Sequence, residues 1–252
     1  MNSAAAETKN WFDQGGSAYA RFRPEYPPEL AAYLACISPD RSHAVDIGCG
    51  NGQLTTLLAA HFSTVAGFDS SEDQIAHAVA RENASYRCAP AEDLPLLSRK
   101  ASLVTAAQAA HWFDLPRFYN EVRRIATPGA ILALISYGVL RLDGDLGIRF
   151  ERFYWSEIGP YWPSERKLVD SGYATIDFPF SELDPPAIAI HLEWCLEEFL
   201  GYISTWTAVR IARDSEREDL LNRFAADIAE LWGEPKARRP ISWPINMRIG
   251  KL

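Results

Sequence analysis

The chain reads as an α/β protein built on a Rossmann-like, doubly wound and mostly parallel sheet. It is expected to have seven strands, the last antiparallel, and an aromatic-rich helical insertion after the fifth. Three observations carry this expectation. Through Gly138, short apolar runs alternate with segments of helical periodicity, the order that builds a parallel sheet from βαβ units. Glycines at 48, 50 and 52 follow the first apolar run directly, and the second run stops at an acid, Asp69. Residues 130–136, AILALIS, carry no charge and no polar alternation, as in strands covered on both faces.

Taken in order, residues 43–47 form the first strand, ended by the glycine turn. Leu54, Leu57, Leu58 and Phe62 then line one face of a helix, and residues 64–68 form the second strand. Ser71 with Gln74 makes a capping-box pattern, opening a helix through about Arg81 with Ile75 and Val79 inward. Residues 84–88 read as a short third strand, and 102–106 as a fourth that runs into Gln108. A helix from about Leu115 to Ala126 buries Phe118, Val122 and Ile125 before Thr127-Pro128-Gly129 breaks it, and 130–136 is the fifth strand. Residues 139 to about 190 then hold many aromatics and several prolines with no βα repeat. Residues 193–209 and 215–232 read as two helices, and 241–249, ISWPINMRI, as an alternating last strand that Pro244 places at an edge or a bulge. One domain is expected, in four parts: an N-terminal helical lid (1–40), a cofactor-binding half (41–138), a substrate cap (139–210) and a last helix and strand (211–252).

Composition narrows the function classes. With 252 residues, 48% hydrophobic and 23% charged, the chain is an ordinary globular one with length for one large domain. The 25 basic and 33 acidic side chains give a net charge of −8. No basic run is longer than a pair such as Arg238-Arg239, which disfavours nucleic acid or an anionic membrane as a partner. The opening MNSAAAETKNWFDQGG holds no apolar signal core, and no apolar stretch nears a membrane span, so a cytoplasmic location is expected. Cys36, Cys49, Cys88 and Cys195 are widely spaced without a C-x-x-C pair, the pattern of reduced thiols; no metal is expected.

Strand, glycine turn, helix, then a strand ended by an acid is the arrangement that holds an adenosine-containing ligand. Glycine lets the backbone turn tightly and approach a ligand, the helix start offers unpaired N–H groups, and a carboxylate accepts from ribose hydroxyls. The spacing here is G-x-G-x-G, whereas dinucleotide folds use G-x-G-x-x-G. Asp46 lies two residues before the first glycine, where its charge would face a pyrophosphate. That arrangement suits a ligand with an ammonium group and no phosphate, such as S-adenosylmethionine. Ligands of doubly wound sheets lie at the carboxyl ends of the strands. The loops after strands one to four therefore supply the candidates: Gly48, Cys49 and Gly50; Asp69 and Ser70; Ala91, Glu92 and Asp93; and Gln108 with His111 and Trp112.

The segment VDIGCGNGQ closely resembles the first motif of class I S-adenosylmethionine-dependent methyltransferases. APAEDLP resembles the motif in which backbone and an acid meet the adenine amino group. AAQAAHWFD resembles the trans-aconitate methyltransferase-like branch of small-molecule methyltransferases. FDQGGSAYARFRPEYP, LGYISTWTAV and ISWPINMRIGKL are similar to the lead-in, a helix and the terminal strand of that branch, with Thr207 where serine is commoner. The resemblance implies that Asp46, Gly48, Cys49, Gly50, Gln53, Asp69, Ser70, Ala91, Glu92, Asp93 and Gln108 form the cofactor site.

Methyl transfer from a sulfonium needs chiefly in-line positioning and exclusion of water. A carboxylate acceptor needs no base; a hydroxyl or protonated nitrogen does, and His111 is then the best-placed candidate, against the alternative of a packing histidine beside Trp112. Trp112, Tyr154, Trp155 and Trp206 are expected to wall an apolar acceptor pocket under the cap. Arg23 and Arg210, with Arg21, are candidates for holding an organic acid, and Tyr19 with Tyr26 for a lid hinged at Gly15-Gly16. The expected function is methyl transfer to a small molecule, possibly a carboxylate oxygen, by a monomer or homodimer. The rivals are a methyltransferase of protein or RNA, a catalytically silent binding module, and, disfavoured by the glycine spacing, a nicotinamide dehydrogenase.

Overall fold

The computed structural model describes residues 23–252. Helix α1 (Pro28–Ile37) leads into β1 (His43–Ile47), α2 (Gln53–Leu58), β2 (Thr64–Asp69), α3 (Glu72–Ala76) and β3 (Ala84–Cys88). Then follow β4 (Ala101–Ala107), α4 (Leu115–Ile125) and β5 (Ala126–Tyr137). The insertion comprises α5 (Gly144–Arg152), a π turn, a 3-10 turn, α6 (Arg166–Asp170), β6 (Ser181–Leu183), β7 (Ile188–Trp194), α7 (Leu196–Ser204) and α8 (Thr207–Asp214). Helix α9 (Glu218–Trp232) and β8 (Arg239–Lys251) end the chain.

The sheet order is β3-β2-β1-β4-β5-β8-β6, with β7 also on β8. Strands β1 to β5 pair parallel and β8 runs antiparallel to β5. The doubly wound fold with an antiparallel last strand is as expected, with eight strands in place of seven. The eighth strand adds no lane: β6 pairs with Ile249–Lys251 and β7 with Arg239–Ile245, so the two share one position beside β8.

Side chains alternate between two cores. Ala44, Leu103, Ile131, Ala133 and Ile135 point to one, with Leu30 and Leu34 of α1 and Phe150, Phe199, Phe224 and Trp232 of the insertion and α9. Val45, Ile47, Val104, Leu132 and Leu134 point to the other, with Phe118 and Val122 of α4 and Val169 and Tyr173 of the insertion. Both faces are covered, which is why β4 and β5 are apolar at nearly every position.

Four local expectations are corrected. The helix after Ser71 ends at Ala76, because Val79 N–H donates to Asn51 O and draws the chain toward the glycine turn; Val79 is left 49% exposed. Residues 127–129 lie within β5, where the register against β4 shifts between Ala101 and Leu103. Residues 193–209 are no single helix: Glu193 and Trp194 end β7, and two helices follow, parted at Trp206. Pro244 lies in an interior strand. Its carbonyl accepts from Gly138 N–H as the chain leaves β5, so the donor it lacks faces the point where that ladder ends.

Candidate active site

The order of the sheet reverses between β1 and β4, the switch point where ligands bind in such sheets. A cavity of about 450 Å³ opens there, within the range of small-molecule sites. In lane order its walls come from residues 89–92 after β3, Asp69, Ser70 and Ser71 at the end of β2, and Gly48 to Asn51 with Gln53 and Leu54 after β1. Residues 107–109, Trp112 and Phe113 after β4, Tyr137 at the end of β5, and Arg23 with Tyr26 before α1 complete them.

The β1 turn is built for close approach. Gly48 has φ +69°, and a Cβ there would meet Ala109 Cβ at 2.3 Å, so only glycine lets the β1 and β4 loops touch. Gly50 has φ +55° and the nearest atom to its would-be Cβ is Gln74 Oε1 at 3.6 Å, leaving that face of the turn clear. Gly48 N–H and Cys49 N–H both donate to Phe68 O, at 2.7 and 2.9 Å, which pins the turn to β2.

Asp69 ties the second loop to the first. Its Oδ2 accepts from Gly50 N–H at 2.8 Å and its Oδ1 from Ser71 N–H at 2.9 Å, and each oxygen keeps acceptor capacity for a further hydroxyl. Asp46 is fully buried beneath the turn, with Thr55 Oγ1 donating to Oδ2 and Thr105 Oγ1 to Oδ1, both at 2.7 Å. Burial pushes its carboxyl up to about 6 in spite of those bonds. Burial and the charges of Asp46 and Asp69 push the Cys49 thiol up as well, so it is a protonated wall group. A cavity with Asp46, Asp69 and Glu92 in its walls fits a cationic nucleoside. S-adenosylmethionine is a ligand of that kind.

The structure brings Asp46, Gly48, Cys49, Gly50, Gln53, Asp69, Ser70, Ala91, Glu92, Gln108, Arg23 and Trp112 to one cavity. Glu92 is already engaged, its Oε1 accepting from Asp114 N–H at 2.8 Å. Asp93 is exposed and, like His111, Tyr154, Trp155, Trp206 and Arg210, lies off the described cavity wall. The His111 ring turns toward the insertion, with Nδ1 3.0 Å from Tyr173 Oη; burial and the Arg166 charge push its pKa down to about 3, making it a weak base. Tyr154 and Trp206 are 1% and 4% exposed and pack with Phe150 and Trp162, joining the insertion to the sheet. Trp155 is 57% exposed, away from the cavity. No described residue of 139–210 lines the cavity, and Tyr154 and Trp206 belong to the packed core between the insertion and the sheet. Tyr19, Arg21 and the Gly15-Gly16 pair lie outside the described residues.

Sequence reasoning passed over Tyr137. The position of Tyr137 at the carboxyl end of a strand next to the switch point was the available signal for it. Tyr137 Oη accepts from Arg23 Nη1 at 3.3 Å, and the Arg23 guanidinium lies 5.5 Å from the Tyr202 ring centre.

The fold and this cavity define a nucleoside-cofactor-binding α/β protein, and comparison with known proteins narrows the class. Residues 45–134 match the methyltransferase domain family. A methyltransferase-family protein of Dictyostelium discoideum is 34% identical over 100% of this chain and 99% of its own. A solved type II methyltransferase-family structure from Anaeromyxobacter dehalogenans is 41% identical with a TM-score of 0.87, covering 91% of this chain and 98% of that one. A trans-aconitate 2-methyltransferase of Deinococcus radiodurans is 35% identical over 40% of this chain and 41% of its own. The chain belongs to the class I S-adenosylmethionine-dependent methyltransferases.

Proposed function

We propose that the protein transfers the methyl group of S-adenosylmethionine to a carboxylate oxygen of a small organic acid. The observation that carries this reading is Arg23, the one cationic side chain among the described residues lining the cavity. The cavity sorts by chemistry along the sheet. Acids and the glycine turn occupy the β3, β2 and β1 side, while Gln108, Trp112, Tyr137 and Arg23 occupy the β4 and β5 side. A cationic cofactor belongs on the first side and an anionic acceptor on the second, with the reacting atoms meeting over the switch point. The trans-aconitate 2-methyltransferase among the relatives supports an organic acid.

In this reading Asp69 holds the ribose hydroxyls, the residues 48–50 turn carries the amino-acid end, and Ala91 with Pro90 and Phe113 bounds the adenine. Asp46 acts from below, fixing β1, α2 and β4 to one another through Thr55 and Thr105. The bound cofactor supplies an electrophilic methyl on sulfur; the acceptor oxygen displaces it, and the bonding pair stays on sulfur as the thioether. Arg23 aligns the acid by a charge-assisted contact, and Tyr137 holds Arg23. A carboxylate is ionised at neutral pH, so no residue of the chain has to take a proton, in keeping with the low basicity of His111.

Incubation with methyl-labelled S-adenosylmethionine and a panel of mono-, di- and tricarboxylic acids should yield labelled methyl esters. Loss of one charge-assisted contact is worth about 1.5–3 kcal/mol, so Arg23→Met should raise KM for the acid by roughly 10- to 150-fold with cofactor affinity intact. Label appearing only on uncharged acceptors, or an unchanged KM in Arg23→Met, would overturn the reading.

A further inference from the structure

Gln108 follows β4 directly in the left-handed region, with φ +54°, and it lines the cavity. Glutamine gains nothing locally there, since glycine makes the same turn without steric cost. The turn alone therefore gives no reason for a side chain at 108, and non-glycine residues held in this region cluster at functional sites. The carboxamide is fixed at one end: Nε2 donates to Tyr137 O at 3.2 Å, while the backbone N–H donates to Ile135 O at 2.8 Å. A carbonyl only accepts, so Nε2 must face Tyr137 and Oε1 must be the other end of the amide. Among the described residues no hydrogen bond to that Oε1 is formed. Tyr137 thus anchors two groups of the acceptor half. Its main-chain oxygen holds Gln108 and its phenol oxygen holds Arg23.

An amide oxygen repels a second carboxylate and attracts a hydroxyl. We propose that Gln108 is the specificity-determining residue of the acceptor half: with a carboxylate on Arg23, its Oε1 accepts a hydrogen bond from a hydroxyl of the same molecule, so the favoured substrates are hydroxy acids. This rests on the organic-acid reading above and assigns Gln108 to the acceptor instead of the cofactor.

Matched pairs differing by one hydroxyl test it: lactate and propionate, malate and succinate, citrate and tricarballylate. A site built to bond a hydroxyl leaves its polar group unpaired with the deoxy analogue, so the wild-type protein should favour the hydroxy member by about tenfold or more in kcat/KM. Gln108→Met removes the acceptor oxygen, and Gln108→Gly does so while relieving the backbone, which keeps a folded variant in hand. Both should bring the ratio to about one with cofactor affinity within about twofold of wild type. No preference in the wild-type protein, or a preference that survives both variants, would overturn the assignment to Gln108 and leave the organic-acid reading standing. Weakened cofactor binding with the preference intact would return Gln108 to the cofactor site. If the wild-type protein methylates no acid at all, both readings fall together.

Discussion

Asp46 shows how one residue sets both the geometry and the pH response of the site. Its carboxylate is fully buried and takes two threonine hydroxyls, yet burial dominates and raises its pKa to about 6. A folded pKa above the unfolded value of ~3.9 means that the native state prefers the protonated acid. Its favourable contribution is complete below the unfolded value and is lost as pH rises through about 6. Asp46→Asn removes that titration while keeping an acceptor oxygen for one threonine. Relative to the variant, the wild-type protein should lose up to roughly 3 kcal/mol of stability between about pH 4 and 6. Urea melts of both proteins across that interval measure the difference directly; parallel stability curves would contradict it.

At the scale of the element, the loop after β3 owes its position to α4. Asp114 caps that helix by accepting from Arg117 N–H at 3.4 Å, and its own N–H is held by Glu92. One turn from its end, Glu121 is buried, accepts from Leu94 N–H at 2.7 Å and pairs with Arg124 at 2.5 Å. Arg124 in turn donates to Leu94 O and Leu96 O, so the pair clamps the segment beyond Ala91 and Glu92. Glu121→Ala leaves a buried backbone N–H without its partner, which costs about 1–3 kcal/mol. Thermal melts should register that loss, and cofactor affinity should fall with it, since the cavity wall at residues 89–92 is released. A variant of wild-type stability and affinity would refute the clamp.

The same elements show what the sequence displays and what it conceals. β1, β2 and the glycine turn are legible because strand period, glycine spacing and a terminal acid lie within 27 consecutive residues. β7 was hidden because its alternation of Ile190 and Trp194 inward with His191 and Glu193 outward runs straight into helix-forming residues. Only its pairing with β8, some fifty residues on, decides between strand and helix. Of the site, the loops after β1 to β4 were legible, since each follows a recognisable strand. The insertion is less legible, because aromatic residues look alike in sequence whether they wall a pocket or fill a core. Tyr154 and Trp206 fill the core, and Tyr137, unremarkable as the last residue of an apolar strand, reaches the cavity.

The whole molecule is predicted to unfold as one unit in spite of the long insertion. One continuous core holds Ala44, Leu103 and Ile135 from the sheet together with Phe150, Phe199 and Trp206 from the insertion. β8 joins the two by strand pairing, with β5 on one side and β6 and β7 on the other. Six of the eight tryptophans lie at positions 155, 162, 194, 206, 232 and 243, so fluorescence reports mainly on the insertion and the last helix and strand, whereas far-ultraviolet circular dichroism reports on all elements. The two signals should give coincident thermal transitions. The proposed cofactor site lies at the β1 side of the sheet, away from the insertion, yet cofactor at about 100 times its Kd should stabilise the fold by about 2.7 kcal/mol. For a chain of this length that is a shift of roughly 5–10 °C, and a single cooperative unit must show it equally in both signals. Asp69→Ala withdraws the carboxylate proposed for the ribose and should abolish most of the shift while the two transitions stay coincident. If the fluorescence transition instead ignores the cofactor while the dichroism transition moves, the insertion is an independently folding unit and the single-core account is wrong.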